Sequence, residues 1–136
     1  MRLATNRGLP SWELMKENAV LRDLGAQQRT TLQAALEHLH LEEGRVLWET
    51  GAPATDAWLI EDATVEVKEE GHDTVSLGRA ALLCDVEAFL RGRPLSASAV
   101  CTRGGAAFRV PGPQLAELVE RSPGLLLALS GARFVP

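Results

Sequence analysis

The residues best placed for chemistry stand together at 84–97. Cys84 and Asp85 open a short helical stretch after a turn, with Val86 behind them and Glu87 one position further on. Arg91 and Arg93 follow, then a proline-led strand carries Leu95, Ser96 and Ala97. A helix N-terminus offers unpaired N–H groups and the positive end of a dipole, which suits an anion. The layout is that of a pocket for a phosphate. Other chemistry finds less support. Asp85 and Glu87 are two apart, so on a helix they point in different directions and make a poor acid–base pair. They read more simply as carboxylates at a helix start. Cys84 at that start is a conceivable low-pKa thiol, which makes a redox sensor one reading, but no base partner accompanies it. "HLH" at 38–40 superficially resembles a metal-binding His-x-His, yet it falls at the end of an expected helix. These histidines and His72 are read as helix-end or surface residues, so no metal is expected. No Ser/His/Asp or Cys/His set appears, and the chain is not expected to be an enzyme.

The elements that must position this cluster fall into three regimes. Residues 11–40 read as helices: Ser11 caps "WELMKENAVLRDL", and Leu32, Ala35, Leu36 and Leu39 give a second helix its apolar face. Residues 41–110 read as short strands divided by turns such as "GAPATD" and "EGHD". In "TVEVKEE", Val65 and Val67 alternate with Glu66 and Lys68, as in a half-buried strand. Residues 111–134 return to helix, with Pro113 in a first turn, Leu115, Leu118 and Val119 on one face, and a last helix from "LLLALSGARF". The fold class expected is mainly β: an antiparallel double-sheet roll with N-terminal helices, a short internal helix and C-terminal helices.

Composition narrows the setting. The chain has 136 residues, of which 46% are hydrophobic, which fits one domain over 1–136 with a single core. Its longest apolar cluster, "LLLAL" at 125–129, is far too short for the ~18 residues of a membrane span. "MRLATNRGLP" lacks the apolar segment of a signal peptide, so a cytoplasmic location is expected. Net charge is −4, unlike a nucleic-acid binder. Arg79, Arg91, Arg93, Arg103 and Arg109 can form at most a local patch, and a mixed, solvated surface is expected. Arginine far outnumbers lysine, which is read as the codon bias of a GC-rich, bacterial genome. Cys84 and Cys101 are expected to be buried and unpaired. Trp12, Trp48 and Trp58 are read as packing residues and not as a stacking platform.

Three stretches together resemble a cyclic nucleotide-binding domain, the sensor domain of catabolite activator protein-type regulators. "LRDLGAQQRTTLQAALEHLHLEEGRVLWETGAPATDAWLI" is similar to the entry helices and first strands. "CDVEAFLRGRPLSASAV" resembles the phosphate-binding cassette, and "FRVPGPQLAELVERSPGLLLAL" the closing strand and helices. The resemblance spans roughly 18–132 and implies a cassette of Gly-Glu-apolar followed by Arg-Ser or Arg-Thr before Ala. Here the Gly position is Cys84, the Glu position Asp85 and the apolar position Val86. Ser96 and Ala97 match, but the arginine position is Leu95. Ala63 and Ala80 stand where the family has turn glycines.

A hydrogen bond to a charged group contributes ~1.5–3 kcal/mol, so losing the arginine weakens a cyclic nucleotide by roughly a hundredfold or more. Cys84, Asp85, Val86, Arg93, Leu95 and Ser96 are therefore expected to line a vestigial or altered pocket with no cofactor, cyclic AMP and cyclic GMP included. The expected role is a regulatory or scaffolding module working through protein contacts, with a partner protein, a second copy or both. The alternative is a sensor whose altered pocket takes a different small molecule. The chain leaves no room for a helix-turn-helix, so no DNA-reading domain is expected. Leu126 and Phe134, on a second face of the last helix, are the expected interface; the opposing expectation is that the helix around Trp12 and Met15 covers that face.

Overall fold

The computed structural model describes residues 8–129 and 134–135, with side chains from 11 to 129. Helix α1 (Gly8–Glu17) leads to a 3-10 turn (Leu21–Asp23) and helix α2 (Ala26–Ala35). Strands β1 (Glu37–Leu41), β2 (Val46–Trp48), β3 (Ala57–Ile60), β4 (Thr64–Glu69), β5 (Val75–Leu77) and β6 (Leu82–Leu83) follow. Helix α3 (Val86–Arg91) separates them from β7 (Ala97–Arg103) and β8 (Gly105–Val110). Helices α4 (Gly112–Arg121) and α5 (Pro123–Leu129) precede a two-residue strand β9 (Phe134–Val135). Among the described residues the strands form two antiparallel sheets, in the orders β1-β8-β3-β6-β9 and β2-β7-β4-β5. This is the double-sheet roll with flanking helices that the spacing of strands and turns implies.

Strand β3 divides the interior. All four of its residues are buried, because side chains alternate and both faces are covered. Ala57 and Leu59 face a cluster made with the helices, including Leu14, Met15, Leu115 and Leu125. Trp58 and Ile60 face the inside of the roll, against Leu41, Trp48, Val65 and Leu95. Trp48 and Trp58 thus pack the roll, as their sequence setting implies.

Three expectations need correction. Ser11 does not cap α1; it lies within the helix, is buried, and its Oγ accepts from Gln33 Nε2 at 3.1 Å. The helix stops at Glu17 because Asn18 competes for the backbone: its Oδ1 accepts from the N–H groups of Val20 (2.9 Å) and Leu21 (3.0 Å). Second, α2 ends at Ala35, and "HLH" lies in β1, with His38 opposite Phe108 and His40 opposite Ala106. The helical spacing that includes Leu39 is coincidental. Leu32 packs with the helices, whereas Leu39 packs against the cluster inside the roll. Third, the last helix ends at Leu129, and Phe134–Val135 pair with β6 as an edge strand. Phe and Val favour extended backbone, and a five-residue ladder or a sheet edge overrides a weak helical pattern.

The approach to α3 carries a local strain. Ala80 adopts φ +69°, a left-handed conformation that a Cβ disfavours. Ala63, the other residue at an expected glycine turn, does not share it. Ala80 N–H donates to the Ile60 carbonyl at 2.7 Å, and Asn18 Nδ2 donates to the Ala80 carbonyl at 2.8 Å. These bonds hold the turn in place. Replacing Ala80 by glycine removes the Cβ clash but frees the unfolded chain, so the net gain is roughly 0.5–1 kcal/mol. Ala80→Gly is expected to raise the denaturation midpoint accordingly, and a loss of stability would show that the turn is unstrained.

Candidate functional site

The cassette is built around α3. Asp85 is its N-cap, and its Oδ1 accepts from the Ala88 N–H at 3.0 Å. Gly92 closes the helix in the left-handed conformation, φ +65°. Val86 and Ala88 turn inward and are buried. A cap of this kind stabilises a short helix by about 1 kcal/mol. It also engages the Asp85 carboxylate within the chain.

The remaining polar groups of the cassette are engaged locally as well. Arg93 Nη2 lies 2.6 Å from Glu87 Oε1, with Arg91 Nε 3.9 Å from the same oxygen. Ser96 Oγ donates to Glu69 Oε2 across the sheet at 2.6 Å. Leu95, at the arginine position, is 3% exposed and packs in the roll with Trp48 and Ala97. Its backbone is tied in both directions to the preceding turn: Gly51 N–H to Leu95 O and Leu95 N–H to Ala52 O, both 2.8 Å. The structure thus brings Cys84, Asp85 and Val86 together at one helix start. Arg93 and Ser96 are directed instead to Glu87 and Glu69.

Cys84 is fully buried among the helix-side apolar residues. Desolvation, with a smaller contribution from Asp85, pushes its thiol up to about 12. That is the opposite of an activated nucleophile. Cys101 is also buried and raised by desolvation, and its Sγ lies 3.2 Å from the Arg103 carbonyl.

Beside Leu95 an open groove of about 350 Å³ runs along β2 and the 49–55 turn. Val46, Leu47, Trp48 and Pro53 give it an apolar lining. Glu49 is its one charged lining residue, a sign that disfavours a phosphate.

The other arginines do not gather into a patch. Arg79 pairs with Glu17 at 3.0 Å, and Arg109 with Glu37 at 2.9 Å. Arg103 donates to Thr64 Oγ1 and to the Asp62 carbonyl. His38 stacks on Phe108 with ring centroids 4.5 Å apart and contacts Glu61 at 2.8 Å. Among the described residues no group of three or more His, Cys, Asp and Glu is arranged to hold a metal ion. No helix there is long and apolar enough to cross a membrane.

At the proposed interface, Leu126 is partly buried and packs against the helix-side core. Leu127 is the residue that faces out, 77% exposed. Leu14 and Met15 of α1 belong to the same buried cluster as Leu125 and Leu129 of α5. The Phe134 side chain lies outside the described residues. Sequence reasoning missed Asn18 and Glu69. Asn18 after a helical run is a stop signal that can be read in advance; the Glu69–Ser96 bond depends on strand register and leaves no local trace.

No protein-family model and no curated protein matches the chain. Solved structures do. PKAR CBD2 bound to Sp-2Cl-cAMPS superposes with a TM-score of 0.73 at 10% identity, over 90% of this chain and 84% of that one. The N-terminal domain of a transcriptional regulator from Streptomyces coelicolor A3(2) gives 0.66 at 16% identity, over 85% and 86%. The fold is that of a cyclic nucleotide-binding domain. At these identities the likeness concerns the fold alone.

The Cys84 environment has a measurable pH signature. In the unfolded chain the thiol ionises near its ordinary 9.0, whereas in the folded chain it does so only near 12. A raised folded pKa leaves stability intact below pH 9 and erodes it between 9 and 12, by about 1.4 kcal/mol per pH unit. Denaturant titrations at pH 8, 9.5 and 10.5 should show this slope, and Cys84→Ala should reduce it, leaving the contribution of Cys101. Equal slopes for the two proteins would mean the thiol is accessible to water.

Proposed function

We propose that this chain is a non-enzymatic regulatory module on a cyclic nucleotide-binding fold, one that does not hold a cyclic nucleotide in the usual way and acts through protein contacts. One observation carries the reading: the arginine position is Leu95, buried inside the roll against Trp48. A phosphate at that position meets a leucine side chain in place of a cation. Arg93, two residues before Leu95, is held by Glu87. Freeing it breaks a charge-assisted bond, although this pair is half exposed and so weak. The ribose side fares no better, since the shorter Asp85 carboxylate caps its own helix.

The two solved neighbours bear on this reading in one respect: one of them is a transcriptional regulator's domain and the other is named as bound to a cyclic-AMP analogue. A regulatory role for this chain accords with both. Ligand loss is argued from its own residues. The rival reading, a sensor with an altered pocket, draws on the apolar groove along β2. Such a groove favours an uncharged or cationic molecule over a phosphate.

A ligand that binds only the folded state must raise its stability, by about 2.7 kcal/mol at a hundredfold excess over Kd. Cyclic AMP or cyclic GMP at about 100 μM is therefore expected to leave the melting temperature unchanged, whereas a rise of several degrees would overturn the reading. The contact surface has its own test. Leu127 is exposed on α5, so Leu127→Glu should leave the circular dichroism spectrum and stability near those of the parent. If α5 is the contact surface, the variant loses self-association or partner capture from the native host. Retention of both would remove α5 from the interface.

A further inference from the structure

At the end of a helix His38 and His40 would point apart, because residues two apart do not share a helical face. In β1 the opposite holds. Side chains alternate along a strand, so these two stand on one face, about 6.8 Å apart along the chain. Leu39 and Leu41 turn the other way and pack within the roll. The register on β8 agrees: His38 lies opposite Phe108 and His40 opposite Ala106. Phe108 stacks on the His38 ring, while Ala106 sets only a methyl group opposite His40.

Glu61 orders the first of these rings. Its backbone N–H donates to the Ala106 carbonyl at 3.1 Å, across β8 from β1. Its Oε1 lies 2.8 Å from His38 Nε2. A carboxylate only accepts, so Nε2 carries the proton and the lone pair of the neutral imidazole is on Nδ1. His40 is the freer partner. Its side chain is 61% exposed, and its Nε2 is 3.9 Å from Glu42 Oε2, beyond a hydrogen bond. Two imidazoles on one face, one of them backed by a carboxylate, make a donor set suited to a transition metal.

We infer that His38 and His40 form a two-nitrogen site for a divalent transition-metal ion, with Glu61 positioning the His38 ring. Metal–nitrogen bonds of about 2.0–2.1 Å require the two rings to lean together, which neighbours on one face of a strand can do. The carboxylates of Glu61 and Glu42 add negative charge beside the pair and favour a dication. The chain contributes two ligands, fewer than the four of a closed structural zinc site, so the other positions are left to water or to a ligand from another molecule. Copper(II) binds such nitrogens more tightly than nickel(II) or zinc(II). The site goes beyond the regulatory reading above and does not depend on the cassette.

Titration calorimetry of the tag-free full chain with copper(II), together with the paramagnetic resonance spectrum of the bound ion, tests it. One equivalent should bind, and the spectrum should show two imidazole nitrogens. Zinc(II) should bind the same residues more weakly. Glu61→Gln should weaken copper(II) binding by about tenfold and His40→Ala by more than that, both with an unchanged circular dichroism spectrum. His72→Ala, between β4 and β5, should bind as the parent does. The inference is overturned if His40→Ala keeps the parent affinity, if only one imidazole nitrogen is coordinated, or if His72→Ala removes the binding. An unchanged affinity in Glu61→Gln would overturn the positioning role. His38→Ala removes a ring stacked on Phe108, so if that variant fails to fold, the exposed His40 decides the matter without it.

Discussion

The contact on which the arrangement turns is a single buried carboxamide. Asn18 stops the first helix, caps the turn behind it, and holds the carbonyl of a residue 62 positions away. In water each of these bonds has a solvent equivalent, and its net worth is ~1 kcal/mol. Inside the protein the alternatives are gone, so the side chain sets geometry more than it adds stability. It fixes where α1 ends, and hence where Leu14 and Met15 meet Leu125 and Leu129. It also fixes the left-handed turn from which β6 enters the cassette. Were that turn a relaxed one, the same two bonds would matter less.

Around α3 the polar side chains are engaged from within the protein. A site for a charged ligand keeps its donors and acceptors unsatisfied until the ligand arrives. Here the same positions are satisfied from within. Asp85 bonds Ala88, Arg93 bonds Glu87 and Ser96 bonds Glu69. Leu95 removes the cation and joins the apolar interior. Burying a leucine side chain contributes roughly 1.5–3 kcal/mol, about the size of the charged hydrogen bond it replaces.

What could be read in the sequence divides along physical lines. The order of helices, roll and closing helices was legible because turns rich in Gly, Pro and Asp punctuate short apolar runs. Leu95 was legible because a charge position and an apolar residue are easily told apart. The β1 strand was not. Leu36 and Leu39 fit a helical stripe, and only the β8 partner, distant in sequence, selects the extended form. The same is true of Phe134–Val135, whose pairing with β6 is a tertiary choice. Within the site, Arg93 and Ser96 lie between α3 and β7. The acidic partners that engage them lie 6 and 27 residues away, out of reach of local pattern.

The two tryptophans give the last step. Trp48 and Trp58 project into the roll from β2 and β3, where they pack with Leu41, Val65 and Leu95. Aromatic side chains bury 150–250 Å² each and dominate the energetics of any core they enter. A roll lined by smaller residues can leave room between its sheets; one lined by two indoles and a leucine fills that room itself. Arg45 and Arg109 lie over the Trp58 ring at 5.5 and 5.9 Å, so cations meet this indole. The double-sheet architecture is held by residues that pack between its sheets.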